Sequence, residues 1–376
     1  MSQKRAYLDY NASAPMRPEA RAAMAAALEL AGNPSSVHAE GRRARALIDE
    51  ARDRVAALVN ARPSEVVFTS GATEANNWAL SQGWDSIFLP GIEHDSVRAP
   101  ATASQARIVD VPVSSDGIAA VATIAERVLE GAGDLGRAVI ALQMANNETG
   151  VVQPVAEAAA FARGHGLALH TDAVQAAGRM AVDFQALGAD TLSVSSHKIG
   201  GPKGAGALVV RDGVSVRALI SGGGQERRRR AGTENVAAIA GFGAAAEAAA
   251  RDLADMTRVR GLRDELEGAV LRSTPEAVVL GQGAERLANT TCFAWPGRLA
   301  ETLVIKLDLL GIAVSAGAAC SSGKVGQSHV LAAMGLEPEI ARSAIRVSIG
   351  HATTENDISA FLAAWRELGS RAAIAA

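Results

Sequence analysis

The sequence predicts an α/β fold in which a mostly parallel β-sheet is covered by helices on both faces. Seven short β-prone runs follow one another between residues 65 and 210, namely EVVFT, SIFLP, ARIVDVPV, AVIALQM, LALHTDA, TLSVSSH and GALVV. Helical stretches such as VAEAAAFARGHG separate several of them. Strands that alternate with helices are typical of parallel sheets with two covered faces.

Two helical segments flank this series of strands. Before it, the stretch NPSSVHAEGRRARALIDEARDRVAALVN predicts a long amphipathic helix with Ser36 as its N-cap. Apolar residues recur there at helical spacing, at Ala44, Leu47, Ile48, Ala51 and Val55. After the strands, the Ala-rich chain from Asn235 to Arg272 predicts a nearly unbroken helix that leaves the sheet.

The rest of the chain predicts a smaller α+β domain. Its β-prone runs VVLGQG, TTCFAW and IRVSIG alternate with helical stretches, of which TTENDISAFLAAWRELG is the last. We therefore place a large domain at residues 16–255. The smaller domain takes residues 1–15 and 256–376.

Composition excludes several functional classes. The chain has 376 residues, 48% of them hydrophobic, and a net charge of −3. It contains no apolar run long enough to span a bilayer and no basic stripe with interleaved aromatic residues, so neither a membrane nor nucleic acid is an expected partner. The N-terminus MSQKRAYLDYNASAP lacks the apolar core of a signal peptide, which predicts a cytoplasmic protein.

Residues suited to chemistry follow the ends of the predicted strands, where open α/β sheets bind their ligands. SGATEANN follows EVVFT and opens a helix, so the N–H groups at Ala72 and Thr73 could hold a phosphate; a plain helix cap would look the same. His94 follows SIFLP in GIEHDS, and Asn147 follows AVIALQM in ANNETG, where it could also be a turn residue.

Two further strand ends carry a carboxylate and a lysine. Asp172 and Gln175 lie in TDAVQ, after LALH. Lys198 lies in SSHKIGGPKG between a buried strand and a glycine-rich loop, and Lys203 of the same loop is its competitor. A phosphate site, an acid, an imidazole and a lysine together match pyridoxal phosphate, which needs a lysine for its aldehyde and a carboxylate for its ring nitrogen.

The two cysteines require separate explanations. Cys292 lies in the apolar run ANTTCFAW and is predicted to be a small buried hydrophobe. Cys320 lies in SAGAACSSGKVG, where little can bury it; it is either a small loop residue or a functional thiol. Neither has the spaced partners of a structural zinc site, so no metal site of the chain's own is predicted.

At these residues the sequence resembles the pyridoxal-phosphate-dependent cysteine desulfurases of the NifS and IscS type, within the class-V aminotransferase-like group of fold type I. The resemblance covers nearly the whole chain and is most specific in SSHKIGGPKG and in the Cys320 loop. It implies a seven-stranded, mostly parallel sheet with flanking helices and a smaller α+β domain. It also implies a desulfurase that converts L-cysteine to alanine and carries the sulfur as a persulfide on Cys320.

The resemblance also assigns roles around the cofactor. Lys198 would hold its aldehyde, Asp172 would pair with the ring nitrogen, and Gln175 would bond the phenolic oxygen. His94 would stack on the ring and help proton transfer. The phosphate would be held by Ala72, Thr73, Ser195, His197 and Thr233.

Further roles concern the substrate and partners. Asn147 would contact cofactor or substrate, and Arg346 would bind the substrate carboxylate, although it could also be an ordinary strand arginine. Thr233 would act in the site of a second subunit, which implies a homodimer. Cys320 would lie in a mobile loop, give its sulfur to an acceptor such as an iron–sulfur scaffold, and could ligate an iron–sulfur cluster shared with it.

Three alternatives compete with this interpretation. An aminotransferase or a selenocysteine lyase of the same fold would use the same cofactor site without necessarily needing Cys320. A non-catalytic scaffold could have kept the fold and lost the chemistry, but the complete residue set argues against this. A nicotinamide enzyme would need an early GxGxxG fingerprint, which the sequence lacks.

Overall fold

The computed structural model describes residues 5–129, 136–317 and 328–375. The helices are α1 (Pro18–Leu28), α2 (Ala39–Leu58), α3 (Ala72–Leu80), α4 (Asp95–Ala103), α5 (Val121–Leu129), α6 (Val155–Gly164), α7 (Phe184–Leu187), α8 (Val236–Asp252), α9 (Met256–Ser273), α10 (Ala300–Leu309), α11 (His329–Ala333), α12 (Pro338–Arg342) and α13 (Glu355–Ala375). In these described ranges, no helix is both long enough and apolar enough to cross a membrane.

Within the described residues, the strands form three sheets. They are β1 (Ala6–Tyr7), β2 (Val66–Thr69), β3 (Ser86–Pro90), β4 (Arg107–Val111), β5 (Ala138–Ala141), β6 (Ala168–Asp172), β7 (Thr191–Ser195), β8 (Gly206–Val210), β9 (Val278–Val279), β10 (Thr290–Ala294), β11 (Ile312–Ala313), β12 (Ser315–Ala316) and β13 (Ala344–Ser348).

The largest sheet has seven strands in the order β2-β8-β7-β6-β5-β3-β4, and each predicted run supplies one of them. β8 pairs antiparallel with β2 and β7, and the other neighbours pair in parallel. The short glycine-rich connection between β7 and β8 explains the exception, because a parallel partner would require a long crossover. The predicted mostly parallel sheet is confirmed.

Helices cover both faces of this sheet. On one face, Phe68 and Leu192 of the strands share an apolar core with Ile48 of α2 and Phe242 of α8. On the other face, Val67 and its neighbours pack against Trp78 of α3. Neighbouring strand residues therefore point into different cores, as the two-residue repeat of a strand requires.

The start of α2 differs from the prediction. Its N-cap is His38, whose Nδ1 accepts a hydrogen bond from the N–H of Gly41 at 3.3 Å. Ser36 instead closes a preceding turn, because its own N–H donates to the carbonyl oxygen of Asn33 at 2.9 Å. The N-cap prediction at Ser36 is therefore wrong by two residues.

The predicted continuous helix from Asn235 is two helices. Asn235 caps α8 through its side chain, which accepts from the N–H of Ala238 at 3.1 Å. A short 3₁₀ turn over Leu253–Asp255 then separates α8 from α9. Residues of α9 then join a different apolar core.

The apolar core that α9 joins belongs to the remaining α+β part of the chain. The antiparallel sheet β12-β13-β10-β9 packs with α9, α10 and α13, and Phe293, Phe361 and Trp365 meet at its centre. Ala6 and Leu8 from the N-terminus join this core, and β1 pairs in parallel with β11. The domain limits after residues 15 and 255 stay a prediction.

Candidate active site

A cavity of about 520 Å³ lies where the parallel strands of the large sheet end. Strand-end segments contribute Ser70, His94, Asn147, Asp172 and Ser195 to its wall. Asn11 from the N-terminal segment and Arg346 from β13 complete it on the other side. Residues from the strand ends of the large sheet and residues from the α+β part of the chain therefore line one cavity.

One wall of the cavity is the start of α3. Gly71, Ala72 and Thr73 line it there. The first N–H groups of a helix have no partner within the helix, and together with the helix dipole they attract anions. Ala72 and Thr73 therefore line the cavity at a helix N-terminus, and their role in binding a phosphate stays a prediction.

Asp172 ends β6 and is buried at the bottom of the cavity. Its Oδ2 accepts a hydrogen bond from Nδ2 of Asn76 at 2.7 Å, and its Oδ1 accepts one from the N–H of Val174 at 2.9 Å. Because each oxygen has its own donor, the plane of the carboxylate is fixed. This arrangement suits an acid that must face a cationic ring nitrogen.

Lys198 lies on the 3₁₀ turn Ser196–Lys198, which directly follows β7. Its Nζ donates to the carbonyl oxygens of Asn11 and Ala12, the latter at 3.0 Å. Two backbone acceptors thus hold the amine at the cavity. Lys203, the competitor, also lines the cavity, so lining alone does not choose between them.

Two histidines of the site are kept neutral by their surroundings. Burial lowers the pKa of His94, and the nearby charge of Lys198 lowers it further against the opposing effect of Asp172. Burial, helped by Lys198, also lowers the pKa of His197 to about 4. At neutral pH both imidazoles are therefore uncharged.

Arg346 and Asn147 meet at the far side of the cavity. The guanidinium of Arg346 is buried and donates to Oδ1 of Asp9 at 2.7 Å and to the carbonyl oxygen of Asn147 at 3.1 Å. Its Nε has no hydrogen-bond partner among the described residues. Such an unsatisfied buried donor is costly unless a ligand supplies the acceptor.

Gln175 is oriented by a neighbouring arginine. Its Oε1 accepts from the guanidinium of Arg179, and its Nε2 donates to the carbonyl oxygen of Asn11 at 3.1 Å. Arg179 also donates to the carbonyl oxygen of Lys198 at 3.2 Å. Both polar atoms of the Gln175 amide therefore have partners, and these contacts fix the orientation of the amide at the cavity wall.

Thr233 is the predicted residue that the structure does not bring to this cavity. It lines a neighbouring space of about 210 Å³ together with Glu226 and Arg230. Ser70 and Gly204 line both spaces, so the two are adjacent. Within one chain, Thr233 thus lies beside the candidate phosphate site and outside it.

The two cysteines have different outcomes. Cys292 is fully buried in β10, and burial raises the pKa of its thiol, which confirms the predicted small hydrophobe. Cys320, with its predicted persulfide, its loop and its shared-cluster role, lies outside the described residues.

The polar groups of the cavity fit pyridoxal phosphate. A lysine amine, a fixed carboxylate and a helix N-terminus match the aldehyde, ring nitrogen and phosphate of this cofactor. The unpartnered Nε of buried Arg346 adds a donor for a further anionic group. Fold and site together define a pyridoxal-phosphate-dependent enzyme of fold type I.

The comparisons with known proteins agree with this class. Residues 6–361 match the family model described as aminotransferase class-V. The chain is 39% identical to the "IscS-like cysteine desulfurase" of Mycobacterium tuberculosis, over 95% of this chain and 94% of that protein. It is 41% identical to a "cysteine desulfurase" of Cereibacter sphaeroides, over 96% of this chain and 94% of that protein. The chain belongs to the class-V aminotransferase family.

A solved structure gives the same result for the fold. The NifS-like protein of Rickettsia africae superposes with a TM-score of 0.90 and 34% identity, over 97% of this chain and 99% of that one. The predicted fold type I architecture is therefore confirmed.

Sequence reasoning missed several residues that shape the site. Asn11, Asp9 and Arg179 contact Lys198, Arg346 and Gln175, as described above. Asn76 contacts Asp172, and a signal for it was available. In SGATEANN it follows Ala72 by four residues and Thr73 by three, which places all three on one face of a helix.

Proposed function

We propose that the protein is a pyridoxal-phosphate-dependent cysteine desulfurase, which takes sulfur from L-cysteine and carries it on Cys320. The main support is the cavity that joins Lys198, Asp172 and His94 from the large sheet with Arg346 from β13. Relatives that bear the name cysteine desulfurase cover nearly all of this chain.

The cofactor would be held by the groups around the cavity. The N–H groups at the start of α3, with Ser195 and His197, would bind its phosphate, and Asp172 would keep its ring nitrogen protonated. When bound, pyridoxal phosphate supplies an electron sink for negative charge at the α-carbon of an amino acid. Gln175 would donate to its phenolic oxygen, and neutral His94 would cover the ring face.

The substrate would be held by Arg346 and Asn147. A planar guanidinium binds a carboxylate with two parallel hydrogen bonds, and the free Nε of Arg346 is available for one of them. This contact would turn the α-carbon of the substrate toward Lys198. The amine of Lys198 is then the base that takes the α-proton.

The sulfur transfer would use the thiolate of Cys320. It attacks the substrate sulfur, so a new S–S bond forms while the Cβ–S bond of the substrate breaks. The electron pair of the broken bond stays on the substrate carbon, which takes up a proton and leaves as alanine. The enzyme keeps the sulfur as a persulfide, which a second thiol or an acceptor protein can remove.

The first experiment tests the reaction itself. The purified holoenzyme is incubated with L-cysteine without reductant, alanine is measured, and the persulfide is located by peptide mass. We expect alanine and a persulfide on Cys320, both lost in Cys320→Ala and retained in the control Cys292→Ala. A loss of alanine in Lys198→Ala is expected too. No alanine from a cofactor-loaded wild type would overturn the proposal and favour an aminotransferase.

The lysine assignment has its own test. Borohydride reduction fixes pyridoxal phosphate to the lysine that holds it, and peptide mass then identifies that residue. We expect the label on Lys198; a label on Lys203 would contradict the assignment.

We also propose that two chains associate and that Thr233 contributes to the phosphate site of the other subunit. Its position beside the cavity of its own chain is compatible with this. In Thr233→Ala we expect cofactor affinity to fall about tenfold, as for one lost hydrogen bond to a charged group.

Mixed subunits decide whether the threonine acts across the dimer. When Thr233→Ala chains are exchanged with Lys198→Ala chains, one site of each mixed dimer has both residues. Wild-type cofactor affinity and alanine formation should return in that site. If Thr233 served its own chain, mixing would restore neither. Sulfur would pass from this dimer to an acceptor such as an iron–sulfur scaffold protein.

A further inference from the structure

Asn76 lies behind the candidate cofactor site, fully buried on α3. Each polar atom of its side-chain amide has a partner. Nδ2 donates to Oδ2 of Asp172 at 2.7 Å and to Oγ of Ser96 at 2.8 Å. Oδ1 pairs with Nε2 of His170 at 3.0 Å. The side-chain amide of Asn76 therefore links its own helix α3 to helix α4 and to strand β6.

Which atom donates and which accepts in these hydrogen bonds follows from the chemistry of the two partners. Burial lowers the pKa of His170 to about 3, so its ring is neutral and carries one proton. Nε2 must carry this proton, because it faces the carbonyl oxygen of Asn76. Nδ1 of His170 is then an acceptor, which agrees with the hydroxyl of Thr191 at 2.9 Å.

The donors and acceptors can be assigned in the same way from Asn76 through Ser96 to His94 at the cavity. The hydroxyl oxygen of Ser96 accepts from Asn76, so its own hydrogen is free to point at Nδ1 of His94, 2.8 Å away. The backbone N–H of Ser96 also donates to that Nδ1, at 3.0 Å. Nδ1 of His94 is thus an acceptor on both counts. The proton of the neutral ring is consequently on Nε2.

We propose that Asn76 is a positioning residue that sets two groups of the active site together: the carboxylate plane of Asp172 and the tautomer of His94. This inference rests on the proposed function, in which Asp172 faces the cofactor nitrogen and His94 covers the ring. Asn76 acts through these two residues and touches neither cofactor nor substrate.

A purely structural role explains Asn76 less well. An apolar residue could fill a buried position of a helix interior at lower cost, since asparagine is a weaker helix former than alanine or leucine. A buried polar network is favourable when every member is satisfied, and it then fixes one arrangement of its members. All the polar atoms of Asn76 are satisfied, and the arrangement that they fix ends at two residues of the cavity.

The test uses Asn76→Asp, which keeps the size and shape of the side chain but replaces both donors by an acceptor. The matched control is Asn77→Asp, the same change one residue along α3. Asn77 donates to the backbone carbonyl oxygens of Thr73 at 2.8 Å and Ser96 at 3.3 Å, so it does not contact the hydroxyl of Ser96, and it does not line the cavity. Both variants and the wild type are prepared as holoenzymes with ¹⁵N-labelled histidine.

The first measurement is the ¹⁵N spectrum of His94 without L-cysteine. In the wild type we expect a protonated Nε2 and an unprotonated Nδ1. In Asn76→Asp the hydroxyl of Ser96 turns to the new carboxylate, so both resonances of His94 should shift. In Asn77→Asp they should not.

The second measurement is steady-state turnover of L-cysteine. We expect kcat of Asn76→Asp to fall about 10- to 100-fold with a smaller change in KM, which corresponds to one or two hydrogen bonds to charged groups. Asn77→Asp should keep the wild-type values. Unchanged His94 resonances together with unchanged kcat in a folded, cofactor-loaded Asn76→Asp protein would overturn the proposal.

A second variant keeps the proposal testable if Asn76→Asp does not fold. Ser96→Ala breaks the link from Asn76 to His94 and leaves the bond to Asp172 in place. We expect the His94 resonances to shift while the visible absorption of the bound cofactor stays as in the wild type. A His94 spectrum identical to that of the wild type would contradict the proposal that Asn76, through Ser96, sets the tautomer of His94. Because the spectra need no turnover, they test the network even if the enzyme forms no alanine.

Discussion

Arg346 is a buried charge that the protein neutralises without using all its donors. One Nη atom pairs with Asp9 and the other with the carbonyl oxygen of Asn147. The Nε atom has no partner among the described residues. A guanidinium held in this way is oriented before the substrate arrives, so little entropy is lost when a carboxylate binds.

We predict that Arg346→Lys raises the KM for L-cysteine about 10- to 100-fold and changes kcat less. Lysine keeps the charge but cannot offer a carboxylate two parallel N–H bonds. Steady-state kinetics on the cofactor-saturated variant measure the effect. The control is Arg342→Lys on α12, where the side chain is exposed and should not matter. An unchanged KM in Arg346→Lys would exclude the carboxylate role.

Helix α8 shows how close packing can override local propensity. It crosses α2 with glycines and alanines at the contact, and a Cβ added at Gly243 would lie 2.5 Å from the Cα of Ala51. By propensity alone, alanine would be better than glycine in a helix interior by about 1 kcal/mol. The contact with the α2 backbone reverses this preference at Gly243.

We predict that Gly243→Ala destabilises the protein by about 1–3 kcal/mol, because the two helices must move apart. The control, Gly261→Ala in α9, has open space around its new methyl group and should stabilise by about 0.5–1 kcal/mol. Denaturant unfolding of both variants with saturating cofactor measures the opposite signs. Stabilisation by Gly243→Ala would mean that α2 and α8 are not in tight contact.

At the scale of the whole molecule, short polar bridges connect the large sheet with the α+β part. The side chain of Asn11 donates to the carbonyl oxygen of Asn147 and to the hydroxyl of Thr290, both at 3.0 Å. The hydroxyl of Ser328 donates to Oε2 of Glu148 at 2.6 Å. Asn11 and Asn147 line the cavity, and Arg346 of the α+β part lines it too, so the two parts of the chain must be folded together for the site to exist.

Glu148 makes global stability depend on pH. Burial raises its pKa from 4.5 to about 7, against the opposing effects of Ser328 and Arg346. Its folded pKa is above its unfolded pKa, so the folded state keeps the proton longer as pH rises. The contribution of Glu148 is therefore fully present below pH 4.5 and is lost as pH rises toward 7, by an amount of about 3 kcal/mol.

We predict that Glu148→Gln removes this loss. The stability of the variant relative to the wild type should increase between pH 5 and pH 8, as measured by thermal unfolding across that range. The control Glu157→Gln changes an exposed glutamate on α6 and should follow the wild-type profile. Parallel profiles for Glu148→Gln and the wild type would show that Glu148 is already ionised in the folded state at pH 5.

The sequence was sufficient to predict the fold class and most of the residues that line the cavity. Each of the seven β-prone runs is a strand of the large sheet. Most of these strands are buried along their length, which favours short and largely apolar runs, whereas the edge strand β4 is partly exposed. Lys198, Asp172, His94 and Asn147 line the cavity as expected, because the ends of parallel strands meet at one edge of the sheet.

The tertiary structure alone decided how these residues are held. Asn76, Asn11 and Asp9 lie far along the chain from Asp172, Lys198 and Arg346, and their side-chain types also suit ordinary turns and caps. The position of Thr233 outside the cavity of its own chain was likewise settled by packing. The local sequence pattern indicates which residues are apolar or turn-forming. A hydrogen bond between distant segments, by contrast, exists only once both segments are packed.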